Sequence, residues 1–325
     1  MKISSISVFA LAFFLSVATM LAADPPPWAY GFEGPPQAGA TPLPIRPANT
    51  DQTPRSIPGA TAQYARAQIG NRFGPADWFP GDHPQMPEVV VHGKQPNVWA
   101  CSLCHYPNGK GRAENAGVNG LPVEYFIETM NDFKNGNRKS ADPRKTNTNL
   151  MIQFAKNMSD DEIKATAEYF GSMKWTPWIK VVEAKMVPKT KPSNGLFLVE
   201  GNEMEPLGNR IVETPVNAEA TEVLRDPHSG FTAYVPVGAV KKGEALVTKG
   251  GGKTIACGGC HGADLKGLGP VPGLAGRSPS YLMRQMFDMQ QGFRKGTWTE
   301  LMKPVVANLT TDDMMNIVAY TASLP

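Results

Sequence analysis

Cysteine and histidine are scarce in this chain: four and five copies in 325 residues. Four thiols cannot build the dense disulfide scaffold of a small secreted domain. Charge of one sign is also missing, since 32 Lys and Arg face 29 Asp and Glu for a net +3. No basic cluster interleaved with aromatics occurs, so nucleic acid is not an expected partner. The one long apolar run, Ile6 to Leu21, has 16 residues, fewer than the roughly 20 of a spanning helix. With Lys2 before it and Ala22-Ala23 then Asp24-Pro-Pro-Pro after it, residues 1–23 read as a signal peptide cleaved near Ala23. No cysteine stands near that point to carry a lipid. The expected product is an exported chain with no stable membrane span after signal removal.

Proline and glycine are plentiful instead, 30 and 32 copies. Residues 24–87 concentrate them without a helical or strand period, which predicts an extended arm pinned locally by Trp78 and Phe79; a flexible spacer and a segment wrapped over a domain are equally compatible with it. Beyond the arm the chain repeats itself. At an offset of 156 residues, Cys101 meets Cys257, Lys110 meets Lys266, Tyr125 meets Tyr281 and Arg138 meets Arg294. The offset then falls to 151, where Met151 meets Met302 and Tyr169 meets Tyr320. The first copy therefore carries five more residues in one loop around Ser140 to Asn149. A repeat of this length is a duplicated domain, with units at 88–175 and 238–325. The connector, 176–237, alternates β-branched and polar residues between Pro and Gly stops and predicts short strands.

Within each unit the pattern is helical. A short helix is expected at the cysteine motif, another over Pro122–Lys134 or Pro279–Gln291, and a last one opened by Ser159-Asp-Asp-Glu162 or Thr310-Thr-Asp-Asp313, where a hydroxyl can cap the first turn. A further helix is expected at Lys241–Lys249.

All four cysteines sit in CxxCH: Cys101-Ser-Leu-Cys104-His105 and Cys257-Gly-Gly-Cys260-His261. Thiols at i and i+3 project from one side of a helical turn, where they can form thioethers to the two vinyl groups of one porphyrin while the histidine reaches its iron. A zinc ribbon needs its two CxxC pairs close together, not a domain apart. A thioredoxin-like dithiol needs a βαβ context that is missing. A CxxC disulfide closes a tiny loop and removes little unfolded-state entropy. The motif thus predicts two covalently bound haem c groups, each a buried apolar centre for a unit otherwise thin in core.

His105 and His261 supply one axial ligand each. For the opposite position the repeat singles out Met151 and Met302, each eight residues before a capping hydroxyl, expected on a loop ahead of the last helix. A thioether suits haem iron and favours electron transfer. Met130, Met283, Met286 and Met289 read as packed helix faces.

Taken together, CxxCH, the loop Pro272-Gly-Leu-Ala-Gly276, the methionine ahead of the final helix and an aromatic within it make both units resemble class I cytochrome c domains. The chain resembles the tandem di-haem bacterial cytochromes of the cytochrome c-four group, so the expected fold is mainly α, two tandem cytochrome c domains with a Pro-rich arm and a short-β connector. The resemblance implies a periplasmic carrier of single electrons and a loop carbonyl that orients the ligand histidine; Pro272 matches that position, whereas Ala116 stands there in the first unit. Donor and acceptor would be other redox proteins, with a dehydrogenase or terminal oxidase as candidates. Two alternatives stand beside the carrier: a di-haem peroxidase-type enzyme, for which His83, His92 and His228 are the spare ligands, and the haem subunit of a dehydrogenase complex docked through arm and connector. Arg138-Lys139 and Arg294-Lys295 could meet haem propionates or an acidic partner, although a solvated helix end is the plainer reading. Net charge is +1 over 97–175 and +4 over 241–325, which favours the second unit for docking an acidic protein.

Overall fold

The computed structural model describes residues 23–325; the expected signal segment lies outside the described residues apart from Ala23. Two helical units carry the repeat. In the first, the motif helix Cys101–His105 is followed by helices Val123–Lys134, Thr146–Asn157 and Asp160–Gly171. In the second, Ala239–Lys249 precedes the motif helix Gly258–His261, then come Pro279–Gln290, Thr297–Val306 and Thr311–Ser323. Both last helices start in the expected reciprocal cap: Ser159 Oγ accepts from Glu162 N, and Thr310 Oγ1 from Asp313 N. Their inward faces follow the 3.6 period. Ile163, Ala167 and Phe170 pack against Phe126, Met130 and Phe133 in the first unit; Met314, Ile317 and Val318 pack against Met283 and Phe287 in the second. Gly243 lets Ala239–Lys249 cross the last helix closely, since a Cβ there would meet the backbone of Asn316.

The expected placement of two methionines is corrected. Met151 and Met302 are not on loops but within helices, Thr146–Asn157 and Thr297–Val306. Leu150, Met151, Phe154 and Ala155 form an i, i+1, i+4, i+5 stripe with Phe154 and Ala155 buried, so packing supports the helix. In the second unit Pro304 stands inside the helix, and a proline there argues for a loop when only the sequence is considered.

The units meet through equivalent segments. Lys139 N donates to Phe293 O (2.8 Å) and Lys295 N to Asn137 O (2.7 Å), around a bridge between Arg138 and Arg294. The contact is self-complementary, as a duplicated domain allows. Neither arginine is a solvated helix end: Arg138 is 7% and Arg294 4% exposed. Each crosses to the other unit, Arg138 to Tyr281 Oη (3.2 Å) and Arg294 to Tyr125 Oη (3.0 Å), and both donate to Gln285 Oε1.

The connector forms a three-stranded sheet, in the order Ile179–Glu183, Phe231–Val235, Val212–Pro215, and a hairpin of Met186–Ser193 with Leu196–Pro206. Phe231, Ala233 and Val235 alternate inward, and Ala233 and Val235 join the second unit's core. The arm is wrapped, not free. Its short helix Pro27–Tyr30 buries Trp28, Ala29 and Tyr30 in that same core, and Gly31 passes so close to Gly195 at the hairpin tip that a Cβ would strike its backbone. Farther along, Trp78 is buried with Ile57 and Ile69 and donates to Leu224 O at 2.8 Å, while Phe79 stacks on His228.

Candidate haem sites

All four cysteines carry free thiols. Burial disfavours the thiolates of Cys101, Cys104 and Cys257: Cys101 is pushed up to about 12 and Cys257 to about 11, each by desolvation first and by its partner cysteine second. Each motif histidine follows its thiols on the same turn, and its Nδ1 is engaged by a loop carbonyl eleven residues on: His105 with Ala116 O at 2.9 Å, His261 with Pro272 O at 2.7 Å. A carbonyl only accepts, so Nδ1 carries the hydrogen and Nε2 keeps its lone pair. Burial also lowers both imidazoles below 6.5, which keeps them neutral at pH 7. Ala116 thus stands where Pro272 does, because the acceptor is a backbone oxygen that any residue supplies.

Next to the first motif is a cavity of about 470 Å³. Cys104, His105 and Met151 all line it, with Phe126, Met130 and Phe154 among its apolar walls. A cavity of this size, with the Cys104 thiol, a neutral imidazole and a thioether on its walls, fits a porphyrin. In the second unit His261 is 8% exposed, Met302 is half-buried on its helix, and Cys260 is exposed. The spare histidines are engaged elsewhere: His83 with Asp77, His92 with Phe73 O, and His228 with Asp82. Among the described residues, no three His, Cys, Asp or Glu side chains are grouped to hold a metal ion.

The cavity's far wall is polar, and here sequence reasoning missed the main residues. Arg112 is paired with Glu114 and with Glu222 (2.7 Å). Asp288 accepts from Tyr30 Oη (2.7 Å) and Ala141 N (2.9 Å), and desolvation raises its carboxyl to about 6. Lys145 and Arg284 line the same wall, each 5% exposed. The partners lie up to 258 residues apart, beyond the reach of any local pattern. Tyr169, expected as the aromatic of the last helix, donates to Pro107 O at 2.6 Å, two residues after His105 in sequence.

Comparison with known proteins agrees with this chemistry. The family model described as Cytochrome c matches residues 90–174. Cytochrome c-554(548) of Halomonas halodenitrificans is 39% identical over 72 residues, 22% of this chain and 87% of that protein. The chain belongs to the cytochrome c family. Within it the chain is of the cytochrome c4-like class: cytochrome c4 of Pseudomonas aeruginosa is 43% identical over 75 residues, 23% of this chain. That aligned stretch spans 36% of the Pseudomonas protein. The cytochrome subunit of sulfide dehydrogenase from Chlorobaculum tepidum is 31% identical over 104 residues, 32% of this chain and 86% of that subunit. These relatives are cytochromes by name, and covalent haem c is the cofactor of the family to which the chain belongs. Among the described residues no helix is long and apolar enough to cross a membrane.

Proposed function

We propose that the chain is a periplasmic di-haem electron carrier that transforms no substrate. Haem c would be held through Cys101 and Cys104 in one unit and through Cys257 and Cys260 in the other, with His105/Met151 and His261/Met302 as axial pairs. The observation that carries this reading is the repeated geometry of the histidines: in both units a neutral imidazole follows two free thiols, with its Nδ1 fixed on a loop carbonyl and its Nε2 left to coordinate. A c-type haem supplies one-electron redox chemistry at iron, and the ligand set, burial and nearby charges tune it. The chain's residues hold the imidazole orientation, exclude water and place charge beside the cavity.

The two units divide the work unequally. In unit 1 the arm and connector close over the cavity: Leu43 to Asn49 line it, and Arg225 donates to Leu103 O inside the motif helix. In unit 2 Cys260 is exposed, and Ile255 and Leu301, adjoining Cys257 and Met302 in sequence, are 55% and 68% exposed. Electrons therefore exchange with partners through unit 2, whose positive charge suits an acidic redox protein. A dehydrogenase is the favoured class of partner, by analogy with the relative named as a cytochrome subunit of sulfide dehydrogenase.

The test is a haem count by pyridine haemochrome followed by a near-infrared scan of the oxidised protein. Two haems per chain are expected, with a sulfur-to-iron band that loses about half its intensity in Met151→Ala and again in Met302→Ala. A band unchanged by either substitution would refute the ligand assignment, and high-spin iron with peroxide turnover would favour the enzyme.

A further inference from the structure

The five extra residues of unit 1 fall at 140–149, and they build part of the cavity wall. Asp142, fully buried, pairs with Arg144 at 2.7 Å. Arg144 in turn donates to Gly34 O (2.7 Å) and lies 4.0 Å over Phe32, so the loop grips the arm. The next residue, Lys145, faces the cavity. Its Nζ has a single hydrogen bond, 3.5 Å to Tyr30 O, and a Cβ on Gly195 would come within 3.1 Å of it. Among the described residues no carboxylate lies within 4 Å of Lys145 Nζ or of the Arg284 guanidinium, which donates to Ala29 O (2.6 Å) and Ala113 O (2.9 Å).

The acids of that wall are committed elsewhere: Glu114 and Glu222 to Arg112, and Asp288 to Tyr30 and Ala141. Two buried cations thus line the cavity with no carboxylate in direct contact, although Glu114, Asp142 and Asp288 act on Lys145 from beyond 4 Å. A buried, unpaired ammonium costs several kcal/mol unless an anion joins it. Burial first and Arg284 second push Lys145 well below the usual lysine range, and an arriving carboxylate reverses that. A haem carries two carboxylates. Arg138 also lines the cavity, but Arg294 is its equivalent across the repeat, whereas Lys145 lies in the insertion and has none.

We propose that Lys145, delivered by the insertion, pairs with a propionate of the unit-1 haem and, as a buried positive charge, raises that haem's reduction potential. The inference rests on the di-haem reading above. Gain of an electron lowers the charge at iron, and a fixed cation in a low-dielectric wall favours the more negative state. Arg284 takes the second propionate, and the two haems become inequivalent although their axial ligands are the same.

The experiment is an optical redox titration of the full holo-chain with Lys145→Met and Lys145→Arg, each first shown to hold two haems; a wild-type chain without two haems would refute the di-haem reading, not this one. Met151→Ala identifies the unit-1 couple as the one it displaces. Lys145→Met should lower the reduction equilibrium constant of that couple about tenfold, ~59 mV for one electron, and leave the unit-2 couple in place. Lys145→Arg should stay within about twofold of wild type. If Lys145→Met loses a haem, Lys145→Gln is titrated instead, with the same expectation. An unmoved unit-1 couple, or an arginine variant shifted as far as the methionine one, would overturn the proposal, the second because packing and not charge would be responsible.

Discussion

Substituting Tyr30 by phenylalanine tests whether the arm is a built part of the molecule. Tyr30 is 0% exposed, its ring lies 6.5 Å from Phe287 at 81°, and its hydroxyl donates to Asp288 Oδ1 at 2.7 Å. Phenylalanine keeps the ring and its packing and removes only the hydroxyl. What is lost is a buried hydrogen bond to a carboxylate, worth about 1.5–3 kcal/mol; Tyr30→Ala adds a cavity and should cost about 3–5 kcal/mol. A chain with two units and an arm need not unfold in one step, so the assay should be local. Native-state hydrogen exchange suits it, because the amides of Ala29 and Phe32 donate within the arm at 3.0 Å and exchange when the arm lifts. At 1.4 kcal/mol per decade, Tyr30→Phe should lower their protection roughly 10- to 100-fold. Asp288→Asn should have a similar effect, and the double variant should fall short of the sum, since both changes break one bond. Protection unchanged within twofold in Tyr30→Phe would refute the reasoning: the arm would then be seated by its apolar contacts alone.

Two further predictions concern acidity and capping. Asp288 is raised to about 6 in the fold against 3.8 unperturbed, so the folded state binds its proton more tightly than the unfolded state. Its contribution to stability is complete below about pH 4 and is lost as pH rises through 6, by about 3 kcal/mol at 1.36 kcal/mol per unit. Arm protection should therefore fall from pH 4 to 7, and Asp288→Asn should flatten the profile; a rise with pH would contradict this. Ser159→Ala and Thr310→Ala should each cost about 1 kcal/mol in urea unfolding. Thr310 should be the more costly, because its hydroxyl also donates to Asp313 Oδ2 at 2.7 Å and that carboxylate holds Lys253 at 2.8 Å.

What was legible in the sequence is what local spacing determines. Thiols three apart followed by histidine, hydroxyls three before an acid, and a 156-residue echo of each depend on chain geometry within a turn or on comparison of the chain with itself. The helices that carry Met151 and Met302 were read as loops ahead of the last helix; their helical form depends on packing against the rest of each unit, and the second holds even with Pro304 inside it. The Ala116 carbonyl was undervalued because the role was attached to the carbonyl of a proline, when the backbone oxygen of any residue serves. The arm was left open between spacer and wrap because its seating depends on Tyr30 with Asp288 and on Arg284 with Ala29, pairs 258 and 255 residues apart.

Duplication by itself would produce two equal units, and two equal haems would give an electron no preferred direction. The departures from the repeat that reach a haem cavity act on the first copy. The insertion supplies Ala141, Asp142, Arg144 and Lys145, which bind the arm and line the first cavity. The arm then closes over that cavity with Leu43 to Asn49, and the connector adds Arg225 at Leu103 O and Gly195 beside Lys145. The second copy receives strand packing at its core but keeps Cys260 open. Cover and buried cations thus fall on the same unit. On the proposed di-haem reading, an enclosed haem with added positive charge would hold an electron more tightly and an exposed one would exchange it faster, so the asymmetry of three non-repeated segments would turn a symmetric pair into an inner store and an outer port.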